Sequence, residues 1–388
     1  MMEISKAGIK YFGTILSEQE ILEKINSLQE CIDKTLFYLV IAGTNTSQVE
    51  GISAAGIDPV ARKKTALADA EFLLFGPTKN HKYKLPLLSA GVTPALISYS
   101  CAKLIRAKIN IVPIGLDAQP YFNHIKLEEG RSISANCVSS GQAMPLERVI
   151  YLFERGVLIG CSTYEPLFIA ESVPGGTTTA QAVMQAFGLN VSKLVGSSLI
   201  NPPRQLKDEI ISKGLKNANL KNNFDVFDVI AGVGDPFQAF SLGLLIGARK
   251  RKRKVILSGG SQMLALLVLA LELIKNDQKQ ELVEQIFVIT TNWLVRDNSL
   301  NDLLKLIANK HKVDLIGLAS CLNFKSSTLK ELNDYELGYV KEGVGAGGMS
   351  ILANLKGFDN KEIINECEIN LRKMKVVGQC SSNSENVL

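Results

Sequence analysis

The chain has 388 residues, 46% hydrophobic and 21% charged, ordinary values for a globular protein that buries a large core. Its longest apolar run, Met263 to Leu271, ends at Glu272, well short of the roughly 18 residues a membrane span needs. The net charge is +5, six of the positives form one run, Arg249 to Lys254, and the rest of the chain is close to neutral, which excludes a broad basic surface tracking a nucleic-acid backbone.

The opening MMEISKAGIKYFG lacks the basic-then-apolar layout of a secretory signal, so a cytoplasmic protein is expected. Residues 1–35 read as a helical preface. The first candidate strand is Phe37–Ala42, followed by the small, polar loop AGTNTSQVEGISAAG, a helix over Pro59–Ala70 and a short strand Phe72–Phe75. A helix over Pro94–Ala107 leads into strand Ile109–Ile114. Ala118 to Gln142 has no regular periodicity and reads as a large loop, the kind that carries function in compact domains. Helix Pro145–Glu154 and strand Leu167–Ala170 follow.

The most informative segment comes next, LFIAESVPGGTTTAQAVMQAFG from Leu167 to Gly188. An apolar strand ends at Glu171, turns through Pro174-Gly175-Gly176, and three threonines open a helix over Thr179–Phe187. Side-chain-free glycines let backbone N–H groups approach an anion, and a helix start adds unpaired donors. The spacing is neither a Walker loop nor GxGxxG, so phosphate binding and a plain turn with a cap both remain open. A second turn, Gly196-Ser197-Ser198, precedes helix Pro203–Lys216, where Arg204 and Lys207 either meet a phosphate or face water.

The stretch SLGLLIGA leads into the basic run. Those cations either suit the dipole of a helix C-terminus or form a patch for nucleic acid or another partner. Strand Val255–Leu257, the turn Ser258-Gly259-Gly260-Ser261 and helix Ser261–Ile274 repeat the strand–glycine–helix layout. Strands Ile286–Ile289 and Val313–Leu318 complete the series. The last glycine turn, Lys341-Glu342-Gly343-Val344-Gly345-Ala346-Gly347-Gly348, embeds a carboxylate among small residues. Poor solvation raises such a group toward a useful general base, the alternative being an exposed turn glutamate. Residues 358–388 read as a C-terminal helix and a disordered tail, VVGQCSSNSENVL from Val376.

Strands that are continuously apolar are covered on both faces. Their alternation with helices gives the expected fold: α/β, doubly wound, a mostly parallel sheet flanked by helices, with a small helical part from the chain ends. The α/β body should span 36–357. Ligands of such folds bind beyond the carboxyl ends of the strands. The seven cysteines (Cys31, Cys101, Cys137, Cys161, Cys321, Cys367 and Cys380) never form CxxC, and the three histidines (His81, His124, His311) never form HxxxH. Buried reduced thiols are therefore expected, with no metal and no cofactor.

Taken in order, these turns resemble the nicotinate-nucleotide:dimethylbenzimidazole phosphoribosyltransferase family of cobalamin synthesis, over about Leu39 to Leu355. The carrying residues are Glu171, Gly175, Thr177 and Thr178; Glu342 in Lys341-Glu342-Gly343-Val344-Gly345-Ala346; GVGDPFQAFSLGLLIGA; VILSGGSQMLALL; and the early loop Ala42 to Gly56. The chain departs from the family pattern at Asn45 for a histidine, Ser258 for an aspartate, Thr290-Thr291-Asn292 for a Ser-His pair, and Ser197-Ser198 in the second glycine turn, whose usual lysine has no clear counterpart.

The resemblance implies transfer of 5-phosphoribose from nicotinate mononucleotide to a benzimidazole-like or purine base. It implies Glu342 as base and Glu171 at the ribose. Gly175, Gly176, Thr177 and Thr178 would lie near the phosphate, with Gly196 and Ser197 as a second group. Gly259, Gly260, Gly343 and Gly345 would line the substrate site, and Glu50 would help form the base pocket. The expected partners are small-molecule substrates, without nucleic acid or membrane, in a homodimer. The departures keep open a non-catalytic nucleotide-binding or regulatory protein on the same scaffold. A dinucleotide-dependent oxidoreductase is disfavoured, because GxGxxG and its acidic partner are missing.

Overall fold

The computed structural model describes residues 2–4, 8–56, 58–86, 88, 90–129 and 133–379. Eight strands form one sheet: β1 (Met2–Ile4), β2 (Ile9–Gly13), β3 (Leu36–Ala42), β4 (Ile109–Ile114), β5 (Leu167–Ser172), β6 (Val255–Ser258), β7 (Ile286–Thr290) and β8 (Ile316–Ser320). Their spatial order is β1-β2-β8-β7-β6-β5-β3-β4. The run from β8 to β4 is parallel throughout. The strands are apolar on both sides because both sides are covered: in β3, Tyr38, Val40 and Ala42 enter one core cluster and Phe37, Leu39 and Ile41 the other. The doubly wound α/β expectation therefore holds.

Chain order sets where a ligand can sit. From β3 the chain moves outward to β4, then crosses back to place β5 on the other side of β3, and β6, β7 and β8 extend that way. The winding direction reverses between β3 and β5. At that point the connections leaving the two strands diverge and open a crevice beyond their carboxyl ends.

The chain ends differ from expectation. The preface is not all helical: Ile9–Gly13 is a strand that pairs antiparallel with β8, and helix Glu18–Gln29 follows behind a Ser17 capping box. Phe72–Phe75 is not a strand but the last turn of helix Pro59–Phe75. No turn residue separates it from the preceding ALADAE, and the backbone breaks only at Gly76, where φ is 66°. The last expected strand starts later, at Ile316, because Val313 N–H still closes the preceding helix onto Ala308 O at 3.1 Å. Helix Asn360–Val376 takes in the first tail residue. The expected disorder of 380–388, with Cys380, lies outside the described residues.

Part of the basic run is spent locally. Arg253 is only 1% exposed, and its guanidinium donates to Glu165 O and, at 2.8 Å, to Gly160 O. Arg251 donates to Cys161 O at 3.0 Å and Lys254 to Ser27 O at 2.8 Å. These three cations satisfy carbonyls near the ends of helices Leu146–Cys161 and Glu18–Gln29 and in the segment before β5, while Lys250 and Lys252 are exposed. Among the described residues no helix is long and apolar enough to cross a membrane.

Helices Leu146–Cys161 and Pro236–Lys250 touch backbone to backbone. A Cβ on Gly243 would lie 1.9 Å from Phe153 O. Gly243→Val should therefore force the pair apart and cost at least about 1–3 kcal/mol, the usual range for overpacking, read as a fall in the thermal midpoint.

Candidate functional site

The crevice at the reversal point holds a cavity of about 180 Å³. Its walls come from the segments that follow β3, β5, β6 and β7, from helix Pro59–Phe75, and from the segments 86–94 and 339–344. Glu171 and Glu342, 171 positions apart in the chain, both line it, as do Gly175, Gly176, Thr177, Gly196, Ser197, Gly260 and Gly343. Thr178, Gly259 and Gly345 stand beside it in sequence but are not among the lining residues. Thr178 is fully buried in its helix, and Gly345, at φ 77°, caps helix Ala346–Leu355 against Phe168 and Ala170. Glu50 is exposed and outside the lining; Ser53, Ala54 and Ala55 of the same loop take its place. Asn45 instead bonds Gln48 and lines a smaller neighbouring hollow.

One end of the cavity is formed by two glycine turns and a helix start. Gly175, at φ 84°, ends the turn and caps helix Gly176–Ala186. A Cβ there would meet Ser47 N at 2.9 Å, so only glycine lets the early loop close over the helix start. Lys207, which the sequence left between a phosphate and water, lies on helix Arg204–Ala218 and is 1% exposed, so it does not face water. Its Nζ donates to Thr177 Oγ1 at 3.3 Å and to Gly196 O at 3.2 Å, tying the two glycine turns together. Burial pulls its pKa down to about 7, and a bound anion would restore the charge. Beneath this end, Asp235 accepts Thr179 Oγ1 at 2.5 Å and Gln262 Nε2 at 2.7 Å. Gln262 in turn accepts Gln238 Nε2 at 3.0 Å. This network holds the glycine turn after β6 against the one after β5.

The other end is acidic. Glu342 Oε2 accepts Thr291 N at 2.8 Å and Thr290 Oγ1 at 3.2 Å. Its Oε1 accepts Gly343 N at 3.0 Å and Gly347 N at 3.3 Å. All four bonds favour the charged form, yet desolvation outweighs them and lifts the pKa to about 7. The Thr290-Thr291 segment, a departure from the family pattern, is thus what orients Glu342. The backbone that presents it is strained: Val340 has φ 63° and Val344 φ 54°. Such conformations cost β-branched residues on the order of 1–3 kcal/mol each and cluster at functional sites. Glu171 ends β5 facing the same space. Desolvation, reinforced by nearby Asp235, Glu342 and Asp69, pushes it up to about 8.

Asp69 was missed. It lies on helix Pro59–Phe75, lines the cavity, and is lifted to about 6 by burial. Its one sequence signal is an acid one turn after Thr65 on an Ala/Leu-rich face. Among the described residues no group of three or more histidine, cysteine, aspartate or glutamate side chains could hold a metal.

These shifts predict a stability signature. A carboxyl raised from 4.5 to about 8 on folding contributes stability that is full below its unfolded pKa and lost as pH rises through the folded one. Glu171→Gln mimics the protonated form. The ligand-free variant should match the parent's thermal midpoint near pH 4.5 and exceed it by a growing margin up to about pH 8. A constant offset across that range would show that Glu171 is not held neutral.

Comparison with known proteins places the fold. The phosphoribosyltransferase family model (DBI_PRT) matches residues 96–276, which takes in β5, β6 and their glycine turns but not Glu342. A UPF0284 protein of Prochlorococcus marinus subsp. pastoris is 62% identical, covering 99% of this chain and all of the relative. A UPF0284 protein of Crocosphaera subtropica is 37% identical, covering 89% of this chain and 93% of the relative. Among solved structures, CobT from Thermus thermophilus superposes with a TM-score of 0.57 at 14% identity, over 92% of this chain and 93% of that one. A second structure, the nicotinate-nucleotide-dimethylbenzimidazole phosphoribosyltransferase of the same organism, gives 0.54, also at 14%, over 92% of each chain. At that identity the likeness is one of fold.

Proposed function

The chain belongs to the UPF0284 proteins, and from that premise we propose that they are a branch of the nicotinate-nucleotide:dimethylbenzimidazole phosphoribosyltransferases, a reading supported by the phosphoribosyltransferase match and the CobT-like fold, and that this chain transfers 5-phosphoribose from nicotinate mononucleotide to a ring nitrogen of a benzimidazole-like or purine base. The observation that carries the reading is a single cavity with an anion cradle at one end and two elevated carboxyls at the other.

The chemistry needs little else. The C1′–N bond of the donor breaks, and its electron pair leaves with the already cationic pyridinium nitrogen, so no strong acid is required. Positive charge builds on the ribose, as in glycoside hydrolysis. The acceptor's lone pair forms the new C1′–N bond from the opposite face, inverting the anomeric centre to an α-riboside. Its other ring nitrogen releases a proton to Glu342 Oε2, where it replaces the rotatable Thr290 hydroxyl, and a pKa of about 7 suits a general base at neutral pH. The backbone N–H of Thr177, at the start of helix Gly176–Ala186, holds the 5′-phosphate together with Lys207. Glu171 accepts ribose hydroxyls. Approach of the cationic donor favours its ionised form and steadies the developing oxocarbenium charge.

Catalysis on this plan is mostly alignment of two substrates. The test is incubation with nicotinate mononucleotide and a panel of aromatic bases, read by mass spectrometry beside a CobT control. An α-riboside phosphate is the expected product. If the control turns over and no base reacts here, the transfer reading fails.

A further inference from the structure

The transfer chemistry uses Glu342 and Glu171 but leaves the third cavity carboxyl without a task. Asp69 is 4% exposed, yet it lines the cavity. Its Oδ1 accepts Thr93 Oγ1 at 2.7 Å and its Oδ2 accepts Ser172 Oγ at 2.8 Å. Thr93 Oγ1 also receives Ala95 N at 3.2 Å and gives its proton to Asp69. Among the described residues no lysine, arginine or histidine pairs with this carboxylate. Each oxygen keeps a second acceptor position that its hydroxyl partner does not fill. A buried carboxylate held by two neutral donors and no cation is under-satisfied, which is costly unless a ligand completes it.

Its location indicates which ligand. Thr93 adjoins Pro94, whose ring is the nearest neighbour of Gly343, the residue after Glu342. Asp69 and Glu342 therefore lie near one another along the cavity wall, and the buried Tyr335 feels both carboxyls. The cavity there is otherwise apolar, with Pro86, Leu88, Ala90 and Pro94 in its walls, suited to a flat aromatic ring. Thr65, one helical turn before Asp69, lines it too, but its hydroxyl is turned to Ala55 O at 2.5 Å. It therefore offers the ligand no proton.

We propose that Asp69 is an acceptor-specificity residue, whose carboxylate receives a second hydrogen-bond donor, an amino or hydroxyl substituent, on a base whose ring N–H is given up to Glu342. The inference rests on the transfer reading above. A site built to bond a substrate donor rejects the analogue lacking it strongly, because a buried acceptor is then left unpaired.

The test compares benzimidazole with amino- and hydroxy-substituted benzimidazoles, measured as kcat/KM for the parent protein and Asp69→Asn. The parent should prefer a substituted base by at least about 10-fold, a result that does not depend on how the variant folds. In Asp69→Asn that preference, read as the ratio of kcat/KM for the substituted and plain bases, should collapse to about 2-fold or less. No preference in the parent, or an equal fall for every base in the variant, overturns the proposal and moves Asp69 to the donor side.

Calorimetry with the bases alone separates this result from failure of the transfer reading. If no base turns over, the ratio of dissociation constants still reports on Asp69. A ratio that favours substituted bases and is lost in Asp69→Asn supports the proposal. A ratio the substitution leaves unchanged defeats it.

Discussion

Glu342→Gln should bind nicotinate mononucleotide with unchanged affinity and lose at least about 100-fold in kcat, the lower bound for removing a positioned general base. The pH profile supplies the sign. Glu342 accepts a proton only when ionised, so kcat/KM of the parent protein for the acceptor base should rise as pH increases through about 7. The variant's residual rate should lack that step. The substitution also carries a structural cost. Both oxygens accept backbone N–H groups, from Thr291 on one side and from Gly343 and Gly347 on the other. A glutamine must turn its NH₂ toward one of these sets and will lower the thermal midpoint. Donor affinity separates the effects, because a collapsed cavity would lose the nucleotide as well. Unchanged turnover in a folded variant would remove Glu342 from the role of base.

Lys207→Met should weaken donor binding by roughly 10- to 100-fold, the worth of one charge-assisted hydrogen bond at a buried anion. Methionine has nearly the reach of lysine and can fill its buried channel, so the change isolates the charge. The control is nicotinate riboside, which lacks the phosphate: its binding should be the same in parent and variant. If both ligands weaken equally, Lys207 only ties Thr177 to Gly196 and the anion lies elsewhere. The low pKa adds a pH dependence. With burial holding the free amine near 7, donor affinity should fall as pH rises above about 7, because binding must then also take up a proton.

Much of the site could be read from local pattern. Glu171, Gly175 and Thr177 belong to one strand–turn–helix, and Glu342 to one glycine-rich turn. Side-chain period and turn chemistry act over a few residues, so the strands β3 to β7 and most helix starts were legible. Errors arose where an apolar run had no punctuation, as at Phe72–Phe75, or where a short edge strand such as Ile9–Gly13 gains its stability from a partner some three hundred residues away.

What the amino-acid order by itself determined was the alternation of apolar strands and amphipathic helices, the glycine turns between them, and the acids they carry, because these depend on near neighbours. Only the tertiary structure decided which acids meet. Sheet order brings the ends of β5, β6 and β7 together with helix Pro59–Phe75, and that convergence, not composition, buries Lys207 and Asp69 and desolvates Glu171 and Glu342. A pKa depends on what excludes water around a group, and here the excluding walls come from segments more than two hundred residues apart.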